Sequence, residues 1–252
     1  MLSFAEIRGN LECVEGKFQN PPKHGAAESG VALSIDRAKV GGHVLLNNCT
    51  AEGQVVLLAA EIAGTFECIG GKIQNPAIAW ISESGRALQA QSVRVGGAVL
   101  LRKLVAEGEV RLWGAHIGPS LECDEGTFRN PGGKALDADA MKVSGPVYFR
   151  NGFSAEGQVT LAGAEIGENF DCSRARFQHP ATAEIADSGT ALNAEGVKVA
   201  GSILLRDNFL SEGQVCLKGA QVGGNLECHK SKFQNPLREK LLKVERRWLP
   251  TT

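Results

Sequence analysis

The stretch from Leu33 to Ile73, LSIDRAKVGGHVLLNNCTAEGQVVLLAAEIAGTFECIGGKI, carries the pattern that decides the fold. Its apolar or small residues come in pairs, and the two members of a pair are two positions apart. Each pair begins alternately five and six positions after the beginning of the previous pair. Such brief alternation followed by a corner is typical of very short β-strands. Four pairs occupy 22 residues, which predicts a solenoid with four sides to each coil. The pairs are Leu33/Ile35, Ala38/Val40, Val44/Leu46, Cys49/Ala51, Val55/Leu57, Ala60/Ile62, Phe66/Cys68 and Gly71/Ile73.

The same series restarts three times further along the chain, at Leu88, Leu136 and Leu192, which predicts about nine coils with the first incomplete. A short stretch built around a cysteine marks this repetition, and its copies are 55, 55, 49 and 56 residues apart. Self-similarity of this kind is typical of repeat architectures, in which each unit packs only on its neighbours. The five cysteines are Cys13, Cys68, Cys123, Cys172 and Cys228.

Three segments show the repeating unit most clearly: Ala60 to Ile62, Ala115 to Ile117 and Ala164 to Ile166. Each places a small residue and a larger apolar residue on either side of one outward residue. On these motifs the chain resembles the pentapeptide-repeat proteins over nearly its whole length. The resemblance implies an all-β protein, a right-handed, four-sided parallel β-helix. Every second side has six residues, and Val, Leu or Phe often replaces the small residue, so a three-sided right-handed β-helix stays open as an alternative.

Insertions interrupt the predicted solenoid, which covers residues 1–236. They all leave from one corner; Asn-Pro or His-Pro opens each, and Ser-Gly closes three of them. This punctuation favours short helical turns in the second and fourth. The insertions lie near 19–32, 74–87, 129–135 and 178–191.

The C-terminal segment, residues 237–252, has a different pattern. Leu237, Leu241, Val244 and Trp248 recur at helical spacing among charged residues. This predicts an amphipathic α-helix that caps the last coil, followed by a short tail.

Composition narrows the classes of partner. The chain has 27 basic and 28 acidic residues and a net charge of -1, so it has no overall field that would attract nucleic acid or an anionic membrane. No apolar run approaches the roughly 18 residues of a membrane span. Seven cysteines are an odd number, which argues against a secreted disulfide framework. We therefore expect a cytoplasmic protein without a nucleic-acid or membrane partner.

The cysteine column first suggests a metal or redox site. Its members are predicted to point inward two coils apart, at about 10 Å, which is too far for a disulfide or for shared zinc ligation. We therefore predict inert buried thiols, and no catalytic, cofactor-binding or metal-binding residue. One of three hypotheses for function is an enzyme with its site among the insertions. Its candidate groups are Glu28, Glu83, Asp187 and His179.

The outward residues form two columns. On the second side of the coil their charges alternate, which predicts an ion-pair ladder. This column contains Glu6, Lys39, Glu61, Arg94, His116, Lys142, Glu165, Lys198 and Gln221. On the third side an acid alternates with an apolar residue, and this column contains Glu12, Leu45, Glu67, Leu100, Glu122, Tyr148, Asp171, Leu204 and Glu227.

The apolar members of the third side predict a partner surface. Val105 and Leu210 on the fourth side extend it, and Arg102, Arg150 and Arg206 follow the apolar positions. An apolar strip with arginine at its rim is typical of protein interfaces. The alternative is that the coils are rotated or that an insertion covers the strip. The predicted surface comprises Leu45, Leu100, Tyr148, Leu204, Val105, Leu210, Arg102, Arg150 and Arg206.

Two further hypotheses concern function. The first is a non-catalytic structural or protein-binding module that engages a protein partner or self-associates, for example as a homodimer. The second is implied by the resemblance: some pentapeptide-repeat proteins bind type II topoisomerases by imitating DNA. Such mimicry requires a long negative face, whereas the second side alternates in sign and the third alternates acids with Leu or Tyr.

Overall fold

The structure, a computed structural model, describes residues 1–21, 30–77, 85–181 and 189–235. All regular secondary structure in these ranges is β, and every strand pairs with parallel neighbours. Two sheets have nine strands each and a third has 15. Because strands from successive coils lie side by side, the described residues form a parallel β-helix of nine coils, as the apolar pairs predicted.

The first sheet is the second side of the coil, and it takes one two-residue strand from each turn of the solenoid. Strand order follows chain order, so each strand pairs with the coils before and after it. Its strands are Glu6–Ile7, Lys39–Val40, Glu61–Ile62, Arg94–Val95, His116–Ile117, Lys142–Val143, Glu165–Ile166, Lys198–Val199 and Gln221–Val222.

The second sheet is the third side of the coil and is built in the same way. In its strands the first residue points inward and the second points outward, and the outward column is the one predicted. Its strands are Leu11–Glu12, Val44–Leu45, Phe66–Glu67, Val99–Leu100, Leu121–Glu122, Val147–Tyr148, Phe170–Asp171, Ile203–Leu204 and Leu226–Glu227.

The third sheet combines the fourth side of one coil with the first side of the next. Two long strands, Thr127–Asp137 and Ser154–Thr160, run through both sides and join them. The remaining fourth-side strands are Lys17–Gln19, Thr50–Glu52, Lys72–Gln74, Val105–Glu107, Arg176–Gln178, Leu210–Glu212 and Lys232–Gln234. The remaining first-side strands are Val31–Ser34, Gln54–Val56, Arg86–Gln89, Glu109–Arg111, Thr190–Asn193 and Gln214–Cys216.

A single glycine turns the corner between these two sides in every second coil. Gly53, Gly108, Gly157 and Gly213 have φ values of 119, 120, 122 and 131°. These values lie in a region that side chains avoid. A Cβ at Gly53 would also lie 2.6 Å from the carbonyl oxygen of Asn20 in the neighbouring coil. Each complete coil therefore has four strand segments, as the four apolar pairs predicted, but these segments form three sheets because the third sheet takes two of them.

The other coils carry the insertions at this same corner. An asparagine amide closes the base of the first three: the Nδ2 atoms of Asn20, Asn75 and Asn130 donate to carbonyl oxygens 3.1, 2.7 and 2.9 Å away on the far side of each insertion. The third insertion forms part of the strand Thr127–Asp137. The predicted helical turns of the second and fourth insertions fall in 78–84 and 182–188, outside the described residues. The predicted C-terminal helix also lies outside them.

Phenylalanines fill the interior of the C-terminal half. The ring centroid of Phe153 lies 5.1 Å from that of Phe128, 5.0 Å from that of Phe149 and 5.9 Å from that of Phe177. The column continues from Phe177 to Phe209, at 5.4 Å. Edge-to-face and offset arrangements at such distances are favourable beyond the burial of apolar area.

Among the column cysteines, Cys68, Cys123 and Cys172 are buried as predicted, whereas Cys13 is partly exposed and Cys228 is exposed because they lie in the end coils. Burial raises the pKa values of Cys123 and Cys172 well above the ordinary value, because a thiolate is disfavoured in an apolar interior. One contact was not predicted: the Sγ atoms of Cys49 and Cys68 lie 3.9 Å apart, since Cys49 belongs to a coil between two members of the cysteine column. Gly71 makes room for this contact, because a Cβ there would lie 2.6 Å from the Cys68 Sγ.

Substitution of Gly71 by alanine tests this packing. We expect Gly71→Ala to lower the free energy of unfolding by about 1–3 kcal/mol, because the added methyl group overlaps a buried sulfur atom. Urea unfolding would measure the loss. The control is Cys68→Ala, which removes that sulfur: the double variant should be more stable than the sum of the single losses predicts. Strict additivity would show that the two side chains do not compete for space.

Candidate functional site

The outward column of the second sheet brings the predicted strip residues into one line. Glu122 pairs with Leu100 on one side and with Tyr148 on the other, and Asp171 continues the line from Tyr148 to Leu204. Apolar residues therefore recur on every second strand, about 9.6 Å apart at a strand spacing of about 4.8 Å. We call Leu45, Leu100, Tyr148 and Leu204 the apolar strip.

The strip residues differ in exposure. Leu45, Leu100 and Tyr148 are partly exposed, whereas Leu204 retains only 7% of its accessible surface. Val105 and Leu210 are partly exposed and lie on the neighbouring fourth side, in the third sheet. The structure thus places the predicted extension beside the strip, around one corner of the coil.

A donor two positions after each strip residue reaches the acid of the next coil. These contacts hold the donor that follows each strip residue against the acid of the next coil. The arginines therefore have defined positions on the surface. Sequence reasoning identified the three arginines but missed Asn47, which occupies the equivalent position after Leu45. The contacts are Asn47 Nδ2 to Glu67 at 2.8 Å, Arg102 to Glu122 at 3.6 Å, Arg150 to Asp171 at 3.9 Å, and Arg206 to Glu227.

Arg150 is the most completely held of these donors. Its Nη2 and Nε atoms donate to Asp124 Oδ2 at 2.9 and 3.1 Å. These hydrogen bonds raise the pKa of the guanidinium group, which therefore stays charged. The guanidinium carbon also lies 3.7 Å from the ring centroid of Tyr148, a cation–π contact. Tyr148 is therefore packed beneath a fixed charge.

Carboxylates outnumber arginines around the strip. The outward column and the arginine contacts around it contain six carboxylates and three guanidinium groups among the described residues, which leaves an excess of three negative charges. The carboxylates belong to Glu12, Glu67, Glu122, Asp124, Asp171 and Glu227, and the guanidinium groups to Arg102, Arg150 and Arg206.

The first sheet places the charged residues in the predicted order, but within the described column only Glu165 forms ion pairs with its neighbours. Its register pairs Glu61 with Lys39 and Arg94, and Glu165 with Lys142 and Lys198. The nitrogen atoms of Lys142 and Lys198 lie 3.1 and 3.3 Å from the Glu165 carboxylate. The ladder residues, together with neighbouring glycine, alanine and serine residues, line an open groove of about 1260 Å³.

A polar network on the first side was missed by sequence reasoning. Arg111 lies 3.2 Å from Glu109 and 3.7 Å from Asp137, and Lys134 lies 3.0 Å from Asp137 and 3.4 Å from Asp139. Burial raises the pKa of Glu109. Two cations and three carboxylates are joined in this way, and they connect two neighbouring coils. Their proximity depends on the strand register across the short third insertion, which the sequence pattern does not specify.

Of the residues considered for an enzyme, the described structure contains His179. His179 is 6% exposed, and burial lowers its pKa, which favours the neutral imidazole. Glu28, Glu83 and Asp187 lie outside the described residues. In the part of the chain that the structure describes, no three His, Cys, Asp or Glu side chains are placed to hold a metal ion. Within that part there is also no helix of the length and apolarity needed to cross a bilayer.

No protein-family model, curated protein or solved structure matches this chain. The resemblance to pentapeptide-repeat proteins therefore stays a prediction that rests on sequence motifs.

Proposed function

We propose that this protein is a non-catalytic β-helix that binds another protein through the apolar strip. The observation that carries the proposal is the regular placement of one apolar side chain on every second strand, with an adjacent donor fixed to the next acid. A surface needed only for solubility has no reason to repeat leucine or tyrosine in one line. Partly exposed apolar side chains that recur along one surface, with polar residues around them, are a feature of interaction sites.

The fixed arginines support the same function. Tyrosine and arginine are enriched among the residues that dominate binding energies. Side chains already held in place lose less conformational freedom on association, which leaves more of the contact energy for affinity. Arg150, bonded to Asp124 and stacked on Tyr148, is such a group.

The charge distribution favours this function over DNA mimicry. Arg102, Arg150 and Arg206 pair with acids of the second sheet. The first sheet alternates in sign along its ladder. Neither surface offers the long uninterrupted negative face that mimicry requires.

The variant Leu100→Glu tests the proposal. Leu100 is partly exposed and points outward, so the β signal in circular dichroism should be unchanged. Binding to the partner should weaken at least about tenfold, because a carboxylate replaces an apolar contact near the centre of the strip. Photo-crosslinking identifies the partner: a photoreactive residue at position 100 should capture a protein in cells, and the same residue at position 116 should not.

The control for this variant is His116→Glu, which adds a carboxylate on the first sheet and should leave binding unchanged. Cooperative loss of the β signal in Leu100→Glu alone would instead show that Leu100 belongs to the core. Equal crosslinking from positions 100 and 116 would contradict the proposed surface.

A further inference from the structure

We infer that the apolar strip accommodates a basic amphipathic α-helix of the partner, lying along the solenoid axis, and not a second copy of this chain. The inference rests on the proposed function and names the partner's docking element. It follows from the spacing, width and charge of the second sheet.

Spacing provides the first argument. The apolar residues of the strip recur at about 9.6 Å, which is two strand spacings. Seven residues of an α-helix advance about 10.5 Å and return to the same face. One apolar side chain per heptad would therefore meet the partly exposed residues Leu45, Leu100 and Tyr148 in turn, with a mismatch of about 0.9 Å per step. Leu204 is buried and would add little contact.

An extended partner strand fits less well. Its side chains return to the same face every second residue, at about 6.6 Å and then about 13 Å. Neither distance matches the repeat of the strip. The second sheet is also narrow, because each of its strands has two residues before the chain turns a corner. A single helix, about 10 Å across, suits such a face.

Charge defines the chemistry of the helix. Between consecutive apolar residues stands an acid: Glu67, Glu122 and Asp171 in order along the strip. The surface has an excess of carboxylates over arginines, as counted above. Lysine or arginine placed half a heptad from each apolar residue would face these acids. The expected partner segment therefore alternates apolar and basic residues along one face.

The same register disfavours a second copy. Two antiparallel copies that place apolar residues opposite apolar residues also place Glu67 opposite the partner's Asp171, and Glu122 opposite its own equivalent. Like charges held directly opposite one another are destabilising. Sliding one copy by a single strand places Leu100 opposite the partner's Asp171 and buries carboxylates against leucine. Neither arrangement is favourable without rearrangement of the arginine contacts.

The experiment uses synthetic helical peptides and the full-length chain. The probe peptide has four heptads, with leucine at every seventh position and lysine three and four positions later. One control peptide has the same composition with its leucines distributed around the helix, and the other has glutamate for lysine. Fluorescence anisotropy measures binding to the wild type, Leu100→Glu, Glu122→Lys and Glu61→Lys.

We expect the wild type to bind the probe at least about tenfold more tightly than either control peptide. Leu100→Glu and Glu122→Lys should each weaken binding of the probe by a similar factor. Glu61→Lys makes the same charge change on the first sheet and should leave it unchanged. Light scattering should give a monomer for all four proteins.

Other outcomes separate the inference from the proposed function. If the wild type is a dimer and Leu100→Glu is a monomer, the strip is an interface between two copies of this chain. The inferred partner helix would then be wrong. Equal affinity for the three peptides, or no binding of any, would overturn the inference while crosslinking from position 100 still supports the function. If Glu61→Lys on the first sheet weakens binding as much as Glu122→Lys on the second sheet, the peptide is attracted by overall charge. This result would also contradict the inference. If peptide binding, solution mass and crosslinking are all independent of position 100, both proposals fail.

Discussion

The Ile117→Asp variant is expected to lose the fold of the middle coils. Ile117 is 3% exposed and pairs with Val95 and Val143 on the neighbouring coils. A carboxylate in this apolar column has no cationic partner, and burying it unpaired costs several kcal/mol, about 3–5 by comparison with broken buried ion pairs. Domain stabilities are only about 5–15 kcal/mol in total, so a loss of this size removes much of the stability.

The matched control is His116→Asp, which introduces the same residue at the adjacent, exposed position. Circular dichroism during urea unfolding should give a near-normal midpoint for His116→Asp and a strongly lowered one for Ile117→Asp. Because each coil packs only on its neighbours, partial unfolding from the middle would appear as a broadened transition. Equal midpoints for the two variants would show that the assignment of inward and outward positions is wrong.

The second large effect is expected from Phe153→Ala. Phe153 is fully buried, and its ring packs against those of Phe128, Phe149 and Phe177. Removing it leaves a cavity between three coils and deletes three aromatic contacts. Phenylalanine-to-alanine changes in cores cost about 3–5 kcal/mol, and we expect a value in this range.

Phe4→Ala is the control, because Phe4 is 64% exposed and should contribute little. Chemical denaturation gives the free energy of unfolding of both variants. The slope of this free energy against denaturant concentration shows whether the surface exposed on unfolding has changed. Losses of similar size would mean that the aromatic column is not a major source of stability in the C-terminal half.

The amino-acid pattern by itself determined the stacking of the coils. Inward and outward positions are a local property, since alternate residues of a strand point to opposite faces. Because the apolar pairs are equally spaced in every coil, each position of a coil lies beside the equivalent position of the preceding coil. Both the line from Glu61 to Arg94 and the line from Glu122 to Tyr148 follow from counting residues, and the strand pairing confirms them.

Other features depended on where side chains meet across coils. Cys49 lies beside Cys68 although the two occupy different sides of the repeat. Arg150 could have projected into solvent, but it bonds to Asp124 and stacks on Tyr148. The direction and reach of long side chains are not set by the in-and-out pattern.

The corner at Gly53 shows both contributions. Recurrence of Ala-Glu-Gly at Gly53, Gly108 and Gly157 signals a special turn. The reason for glycine is visible only in the tertiary structure, where a Cβ would collide with the carbonyl of Asn20 at the base of the preceding insertion. Thus the sequence by itself determined which residues share a column, because that is a matter of period. Only the tertiary structure decided which atoms touch, because contacts between coils depend on the path of each corner and on the rotamer of each side chain.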